Sequence, residues 1–360
     1  MRLLMVAPEQ LPVPGSGSVE ICMLAIARKL AKQHHVTIVS RQKAGLPTTS
    51  RVGRNLTIVR VPSGSAGRYI SSVLRYMKGR TFDLIQVDNR PLYMAQIKRA
   101  FPRTPVSLFL HSLTFVPRTR SVAASLHKAN LIIANSNSLQ RKLSKLFSAQ
   151  RRKIRTVHLG VDTERFKPSG GKSSKRFVVL FVGRVIPRKG VPVLIKAVHK
   201  ARKQGSGATL VVAGKGKRAY LGKLRSLVRK QKVPAQFLGN IPHGSIHRVY
   251  RLADCFVCPS QKHEAFGLVN VEAMASGLPV IASKIGGIKE IVKHGHNGYL
   301  VSKYTKSKAF AKYIVKIAKN RSLRVRLGRN GRLTVKRKFS WGSTASKLAG
   351  IYRKAARRSR

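Results

Sequence analysis

Carboxylates are almost missing from this chain: ten Asp and Glu stand against 73 Lys and Arg in 360 residues. A surface so depleted turns each remaining acid into a candidate for a position that needs an acceptor or a negative charge. Three of the ten, Glu264, Glu272 and Glu290, fall within residues 264–290; the others are Glu9, Glu20, Asp83, Asp88, Asp162, Glu164 and Asp254. Cysteine is also scarce. Cys22, Cys255 and Cys258 supply no disulfide framework, and no second Cys or His pair lies at zinc spacing. Cys255-Phe-Val-Cys258 reads as a short buried strand, where residues three apart face opposite ways and share no metal. Aromatics make up 6% and form no stripe among the basic residues, against the pattern of a single-strand nucleic-acid binder. No apolar run reaches the ~18 residues needed to cross a bilayer. The opening Met1–Ala7 is too short for a signal-peptide core and reads as a first strand, so a cytoplasmic protein is expected, with peripheral contacts to a membrane or spore coat.

What is present is core material. Hydrophobic residues are 43% of the chain, close to the globular norm, so the net charge of +63 comes from exchanging acidic surface for basic surface. That charge attracts anionic membrane or polymer without specifying either, and no specific nucleic acid is expected. The length suggests two domains of roughly 150 to 200 residues.

Apolar runs at Leu3–Ala7, His35–Ser40, Leu56–Val61, Phe82–Val87, Val106–Leu110, Asn130–Asn135 and Ile154–Val157 alternate with amphipathic stretches such as Val19–Gln33. Strands that are apolar throughout and spaced by helices predict a parallel sheet covered on both faces. Lys167–Lys175, rich in Pro, Gly and Ser, reads as a linker. The rhythm restarts with Arg176–Val182, Thr209–Ala213, Ala235–Leu238, Cys255–Pro259, Pro279–Ala282 and Tyr299–Val301. Beyond Val301 the pattern is helical and basic, with Trp341 and Tyr352 as apolar anchors of a last helix. The expected architecture is α/β: two doubly wound, Rossmann-like domains facing across a cleft, residues 1–168 and 169–335, with C-terminal helices. Residues 336–360 are expected to pack back toward the N-terminal domain. In such sheets ligands bind beyond the carboxyl ends of the strands.

The richest stretch is His263-Glu264-Ala-Phe266-Gly267-Leu268 continuing to Glu272, Gly277 and Pro279. A strand ends at Pro259, a loop carries Glu264, a helix begins near Gly267 and Gly277 stops it, with Glu272 early on that helix. Amides around Phe266, Gly267 and Leu268 can hold an anion or sugar hydroxyls. Two carboxylates flanking such amides suit a polyhydroxyl ligand joined to a phosphate. Glu264 and Glu272, eight residues apart across Phe-Gly-Leu and a helix start, strongly resemble the signature of the family 4 glycosyltransferases. The resemblance implies the GT-B fold and use of nucleotide sugars with retention of configuration.

Other segments extend the resemblance over nearly the full length. Val182-Gly183-Arg184-Val-Ile-Pro-Arg188-Lys189-Gly190 is similar to the family's phosphate loop, which would make Arg184 and Lys189 the cations for the donor diphosphate; two surface cations in a strand-to-helix turn are the plainer reading. Gly15, Ser16 and Gly17 follow the first strand and open a helix, where glycine lets a backbone approach phosphate. Gly214-Lys-Gly216 lacks the third glycine of a dinucleotide fingerprint, which argues against NAD. His111, at the end of Val106–Leu110, matches the family's histidine that approaches the donor sugar; a capping or surface histidine is the alternative. Gly160–Phe166 matches the stretch before the linker, with Leu159 where the family usually has Asn, and Asp162 and Glu164 read as turn-forming. For Glu290, ligand contact and helix capping both stay open. Val87-Asp88-Asn89-Arg90-Pro91 resembles the spore-coat-associated branch.

The resemblance therefore implies a retaining transferase. A sugar from a nucleotide donor, expected to be UDP-linked, passes to a hydroxyl on a glycan, a lipid-linked acceptor or a protein, in polysaccharide, cell-envelope or spore-coat synthesis. Arg184, Lys189 and the amides of Gly15–Gly17 would stabilise the departing diphosphate, Glu264 would fix sugar hydroxyls, Glu272 the ribose, and His111 would meet the sugar. No metal is expected. Glu264 and Glu272 as the acid and nucleophile of a hydrolase fit less well, because the cations beside them point to a phosphate. A basic polyanion-binding or coat protein that kept the fold without turnover is the rival, resting on the +63 charge.

Overall fold

The computed structural model describes residues 1–11, 18–169 and 176–358. The chain divides into two compact units, Met1–Leu159 with Trp341–Arg360, and Gly160–Ser340.

The first unit is built on strands β1 Arg2–Gln10, β2 His35–Arg41, β3 Thr49–Arg51, β4 Leu56–Val61, β5 Leu84–Asp88, β6 Val106–Leu110, β7 Leu131–Ala134 and β8 Ile154–Thr156. They form one sheet in the order β3-β4-β2-β1-β5-β6-β7-β8. All pairs are parallel except β3 with β4. Leu3, Leu4, Met5 and Val6 are all buried, as are all five residues of β5 and of β6, because helices cover both faces. Polar hydroxyls start several helices. Ser65 accepts from the Arg68 amide, Thr119 from Val122 and Ser136 from Leu139, each satisfying a first-turn donor. Helix Trp341–Arg357 packs on helix Ser18–Leu30 and buries Trp341, Leu348 and Tyr352, so the C-terminal helix completes the N-terminal unit.

The second unit holds β9 Phe177–Val182, β10 Ala208–Ala213, β11 Ala235–Gly239, β12 Cys255–Cys258, β13 Val280–Ser283 and β14 Gly298–Val301. The order is β11-β10-β9-β12-β13-β14, parallel throughout. Its core joins Val179, Phe181, Leu210 and Val257 to Leu194 and Val198 of helix Val191–Lys203 and to Phe310 and Ile314 of helix Ser307–Lys319. Cys255 and Cys258 are both buried in β12, and burial pushes the Cys258 thiol up from its ordinary value. The chain order reverses on either side of β9, between β10 and β12, and loops after those strands carry the residues described next.

Candidate functional site

Two strand-end loops of the second unit lie backbone on backbone. After β9 the chain turns through Gly183 (φ +144°), and a Cβ on Gly214, at the end of β10, would lie 1.8 Å from the Gly183 carbonyl oxygen. The Gly183 amide donates to the Ala213 carbonyl and the Val185 amide to Lys215, which zips the loops together. A single 3₁₀ turn, Pro187–Lys189, ends in Gly190 at φ +74°. A Cβ there would sit 2.0 Å from the Pro259 carbonyl oxygen, so only glycine lets this loop dock on the end of β12.

That docking carries Lys189 to Glu264. Lys189 Nζ donates to Glu264 Oε2 at 2.5 Å, and Ser260 Oγ donates to the same oxygen at 3.2 Å. The Gln261 amide ties the loop back to the Arg188 carbonyl at 2.8 Å. From the other side, the Gly287 amide donates to the Glu264 carbonyl, and a Cβ on Gly286 would lie 2.0 Å from that oxygen. Glu264 is thus held between two glycine turns with its side chain only partly buried. The Arg184 side chain is exposed and has no hydrogen bond or ion pair among the described residues, while its carbonyl accepts from the Ile186 amide.

Helix Leu268–Ala275 begins directly after Gly267 (φ +94°), which brings its first-turn amides next to Glu264. Phe266 does something different from its neighbours. Its ring is buried against Phe339, centroids 5.9 Å apart, so the side chain is core and only its backbone is available to a ligand.

Glu272 lies deeper, 5% exposed. The Tyr250 hydroxyl donates to Oε2 at 2.8 Å, and His243 Nε2 is 3.3 Å from Oε1. Arg165 Nη2 donates to His243 Nδ1 at 3.1 Å, so Nε2 bears the proton and donates to Glu272. Burial, then the neighbouring carboxylate, pushes the Tyr250 hydroxyl well above its ordinary pKa and keeps it a donor. Sequence reasoning missed Tyr250 and His243; an Ile-Pro-His-Gly loop and a helical tyrosine carry no signal that they converge on a carboxylate. Asp162, by contrast, accepts from the Glu164 and Arg165 amides through one carboxyl oxygen and closes the turn its spacing indicates.

In the first unit His111 follows β6. Its ring stacks on Phe109 at 4.6 Å, its amide donates to Asn89 Oδ1 at 2.8 Å, and its Nε2 is 3.0 Å from Asp88 Oδ2. Asn89 sits at φ +55°, a conformation an Asn tolerates, and this aims its side chain at the His111 backbone. Gly15, Ser16 and Gly17 lie outside the described residues. The helix that follows them, Ser18–Leu30, buries Glu20 in its first turn. Burial first, then the charges of Asp88 and Glu9, push the Glu20 carboxyl above its ordinary pKa of 4.5, opposed by its own backbone amide and by His111.

A carboxyl whose folded pKa is raised contributes stability below its unfolded value and loses it as pH rises through the folded value. Glu20→Gln keeps the shape of the protonated form. Its melting temperature is expected to match the parent below pH 4.5 and to exceed it increasingly above that, read by thermal melts from pH 4 to 8.

Among the described residues no group of three or more His, Cys, Asp or Glu is placed to hold a metal ion. No helix among them is long and apolar enough to cross a membrane.

Sequence comparison joins both units to one kind of enzyme. Residues 19–165 match the family described as Glycosyltransferase Family 4, and residues 162–334 match Glycosyl transferases group 1. The chain belongs to the family 4 glycosyltransferases. Among its relatives are spore coat protein SA of Bacillus subtilis, 29% identical over 98% of this chain and all of that protein, and D-inositol 3-phosphate glycosyltransferase of Corynebacterium glutamicum, 28% identical over 99% and 97%. The structure of sucrose-phosphate synthase from Thermosynechococcus elongatus superposes with a TM-score of 0.85 at 23% identity, over 98% of both chains. Anabaena HepE, solved with UDP and glucose, does so at 0.77 and 21%, over 98% of this chain and all of that one. These likenesses show the GT-B fold.

Proposed function

We propose that this glycosyltransferase moves a sugar from a nucleoside-diphosphate donor, UDP-linked, to a hydroxyl acceptor with retention of configuration. The observation that carries the reading is the Lys189–Glu264 pair, with the exposed Arg184 on the same loop as Lys189: cations and an acceptor carboxylate, all on loops after parallel strands. Residues 169–335 take the donor and residues 1–168 the acceptor, with 336–360 as the helix that completes the N-terminal domain. Arg184 and Lys189 neutralise the diphosphate, Glu264 accepts from sugar hydroxyls beside the amides of Gly267 and Leu268, Glu272 serves the ribose side, and His111 meets the sugar. Gly15, Ser16 and Gly17, outside the described residues, are assigned in this reading as further phosphate contacts. As the glycosidic bond breaks, the departing phosphate oxygen takes the acceptor proton while the acceptor oxygen bonds to the same face of the sugar. The chemistry calls on no metal, because the loop cations hold the leaving group. The HepE complexes with UDP and with UDP-glucose support the donor class. In this reading the product is a polysaccharide, cell-envelope or spore-coat glycoconjugate made in the cytoplasm, and the name of the Bacillus subtilis relative, spore coat protein SA, supports the spore-coat branch. The net charge of +63 draws the enzyme to an anionic membrane or polymer that carries the acceptor, a glycan, lipid-linked or protein hydroxyl.

The same charge favours the second reading, a polyanion-binding or coat protein without turnover. Calorimetric titration with UDP, GDP and ADP sugars at moderate salt separates the two, since salt screens nonspecific anion binding. Saturable binding of one nucleotide sugar, weakened at least about 10-fold by Lys189→Ala, is expected. Equal, salt-sensitive binding of every polyanion by both proteins, with no turnover, would favour the coat protein.

A further inference from the structure

His111 ends a buried chain of hydrogen bonds whose donor directions are set by an acceptor-only carboxylate, Asp88. Tyr352, on the C-terminal helix Trp341–Arg357, donates its hydroxyl to Gln86 Oε1 at 2.8 Å. Burial raises the pKa of that hydroxyl, so it keeps its proton. With its oxygen engaged there, the Gln86 amide turns its NH₂ group to Asp88 Oδ1, 2.6 Å away. Asp88 is fully buried and, as a carboxylate, can only accept; its second oxygen lies 3.0 Å from His111 Nε2. Nε2 must therefore carry the ring proton. The ring stacks on Phe109 and its backbone is held by Asn89 and Asn135; in its neutral form Nδ1 is then the bare nitrogen, with no partner among the described residues.

We propose that Asp88 is a positioning residue of the transferase: through the Tyr352–Gln86–Asp88 chain it fixes the tautomer of His111 so that Nδ1 accepts a hydrogen bond from a substrate hydroxyl. The inference rests on the reading of His111 as a substrate-contacting group, and it accounts for a buried carboxylate in a chain that has discarded nearly all others. It also gives the C-terminal helix a part in the chemistry. Tyr352 is separated from His111 by most of the sequence, yet its hydroxyl donates to the Gln86 oxygen and so supports the orientation in which the Gln86 NH₂ group meets Asp88.

Asp88→Asn makes a sharp prediction from this geometry. The single oxygen of the introduced amide is claimed by the Gln86 NH₂ group, so the introduced NH₂ group must face His111 Nε2. That nitrogen becomes an acceptor and the proton moves to Nδ1, the wrong tautomer for accepting a substrate hydrogen bond. In hydrolytic sites where a carboxylate orients a histidine, the same exchange lowers kcat by about 10⁴-fold. A fall of about 10²- to 10⁴-fold with little change in KM is expected here.

The experiment uses the full chain labelled with ¹⁵N-histidine, with the His111 signals assigned by their loss in His111→Asn. The parent is expected to show His111 protonated at Nε2, and Asp88→Asn to show it protonated at Nδ1, alongside the fall in kcat. The double variant Gln86→Leu with Asp88→Asn removes the competing donor, lets the oxygen of the introduced amide turn to Nε2–H, and is expected to restore the tautomer and recover at least about 10-fold of the lost turnover. Parent protein with the proton on Nδ1 overturns the proposal without any variant having to fold. So does an Asp88→Asn protein that switches tautomer and keeps its rate. Absence of turnover in the parent with every nucleotide sugar would instead defeat the transferase mechanism, leaving the tautomer readout to judge the hydrogen-bond chain by itself.

Discussion

Glu264→Ala is expected to lower turnover by about 10²- to 10³-fold while barely moving the melting temperature. The two halves of that statement come from different parts of the same geometry. Glu264 accepts from Lys189 Nζ and Ser260 Oγ at a strand-end loop, and both members of the ion pair remain partly solvated. A pair of that kind contributes roughly 0–1 kcal/mol to folding after screening and side-chain ordering. Its loss leaves the backbone contacts of the loop, the Gly287 amide to the Glu264 carbonyl above all, in place. For the reaction the carboxylate is the acceptor that orients sugar hydroxyls, and a misplaced sugar forfeits the alignment on which transfer depends. One consequence separates this from general damage. Lys189, released from its partner, is free to meet phosphate, so Glu264→Ala should bind the bare nucleoside diphosphate at least as tightly as the parent. Calorimetry with UDP beside a turnover assay reads both; weaker UDP binding together with slower turnover would show that Glu264 holds the loop and not the sugar.

Gly190→Ala is expected to destabilise the second unit by about 2–5 kcal/mol, the sum of a left-handed backbone cost of about 1–2 and an overpacking cost of about 1–3. The residue sits at φ +74°, and its added Cβ would fall 2.0 Å from the Pro259 carbonyl oxygen, against backbone that cannot swing aside as a side chain would. Relief requires the Pro187–Lys189 turn to lift off the end of β12, which would also part Lys189 from Glu264. The urea midpoint should fall accordingly, and residual turnover should fall with it even where the protein is still folded. Gly222 provides the control. It lies within helix Arg218–Lys230 with nothing within 4 Å of its added Cβ, so Gly222→Ala should raise stability by up to about 1 kcal/mol. Equal effects at the two glycines would show that the docking of the loop on β12 is not tight.

Most of the fold was legible because its strands are buried on both faces. An apolar run such as Val106–Leu110 announces a central parallel strand whatever surrounds it, and thirteen such runs fall on strands β1, β2 and β4–β14. β3 was not legible: Thr49–Arg51 is a three-residue, largely exposed edge strand with no apolar pattern to show. In the site, the scarcity of acids drew attention to Glu264 and the glycine-bounded loop to Lys189. Their meeting across 75 positions could not be read, because it depends on Gly190 and Gly286 allowing backbones to touch. Phe266 is a case of a packing role that sequence did not show. Motif position pointed to its backbone amide, and nothing in the motif showed that its ring would pack against Phe339 as part of the core.

The amino-acid order alone determined the two alternating units, the placement of their loops after strands, and which few carboxylates were worth attention in so basic a chain. Those are local properties: hydrophobic period, glycine, and composition. Partnership was decided only by tertiary structure. Glu272 with Tyr250 and His243, and His111 with Asp88, Gln86 and Tyr352, are hydrogen-bond assignments between residues distant in sequence. A buried polar group takes whichever partner the fold brings within about 3 Å, and sequence spacing does not encode that distance.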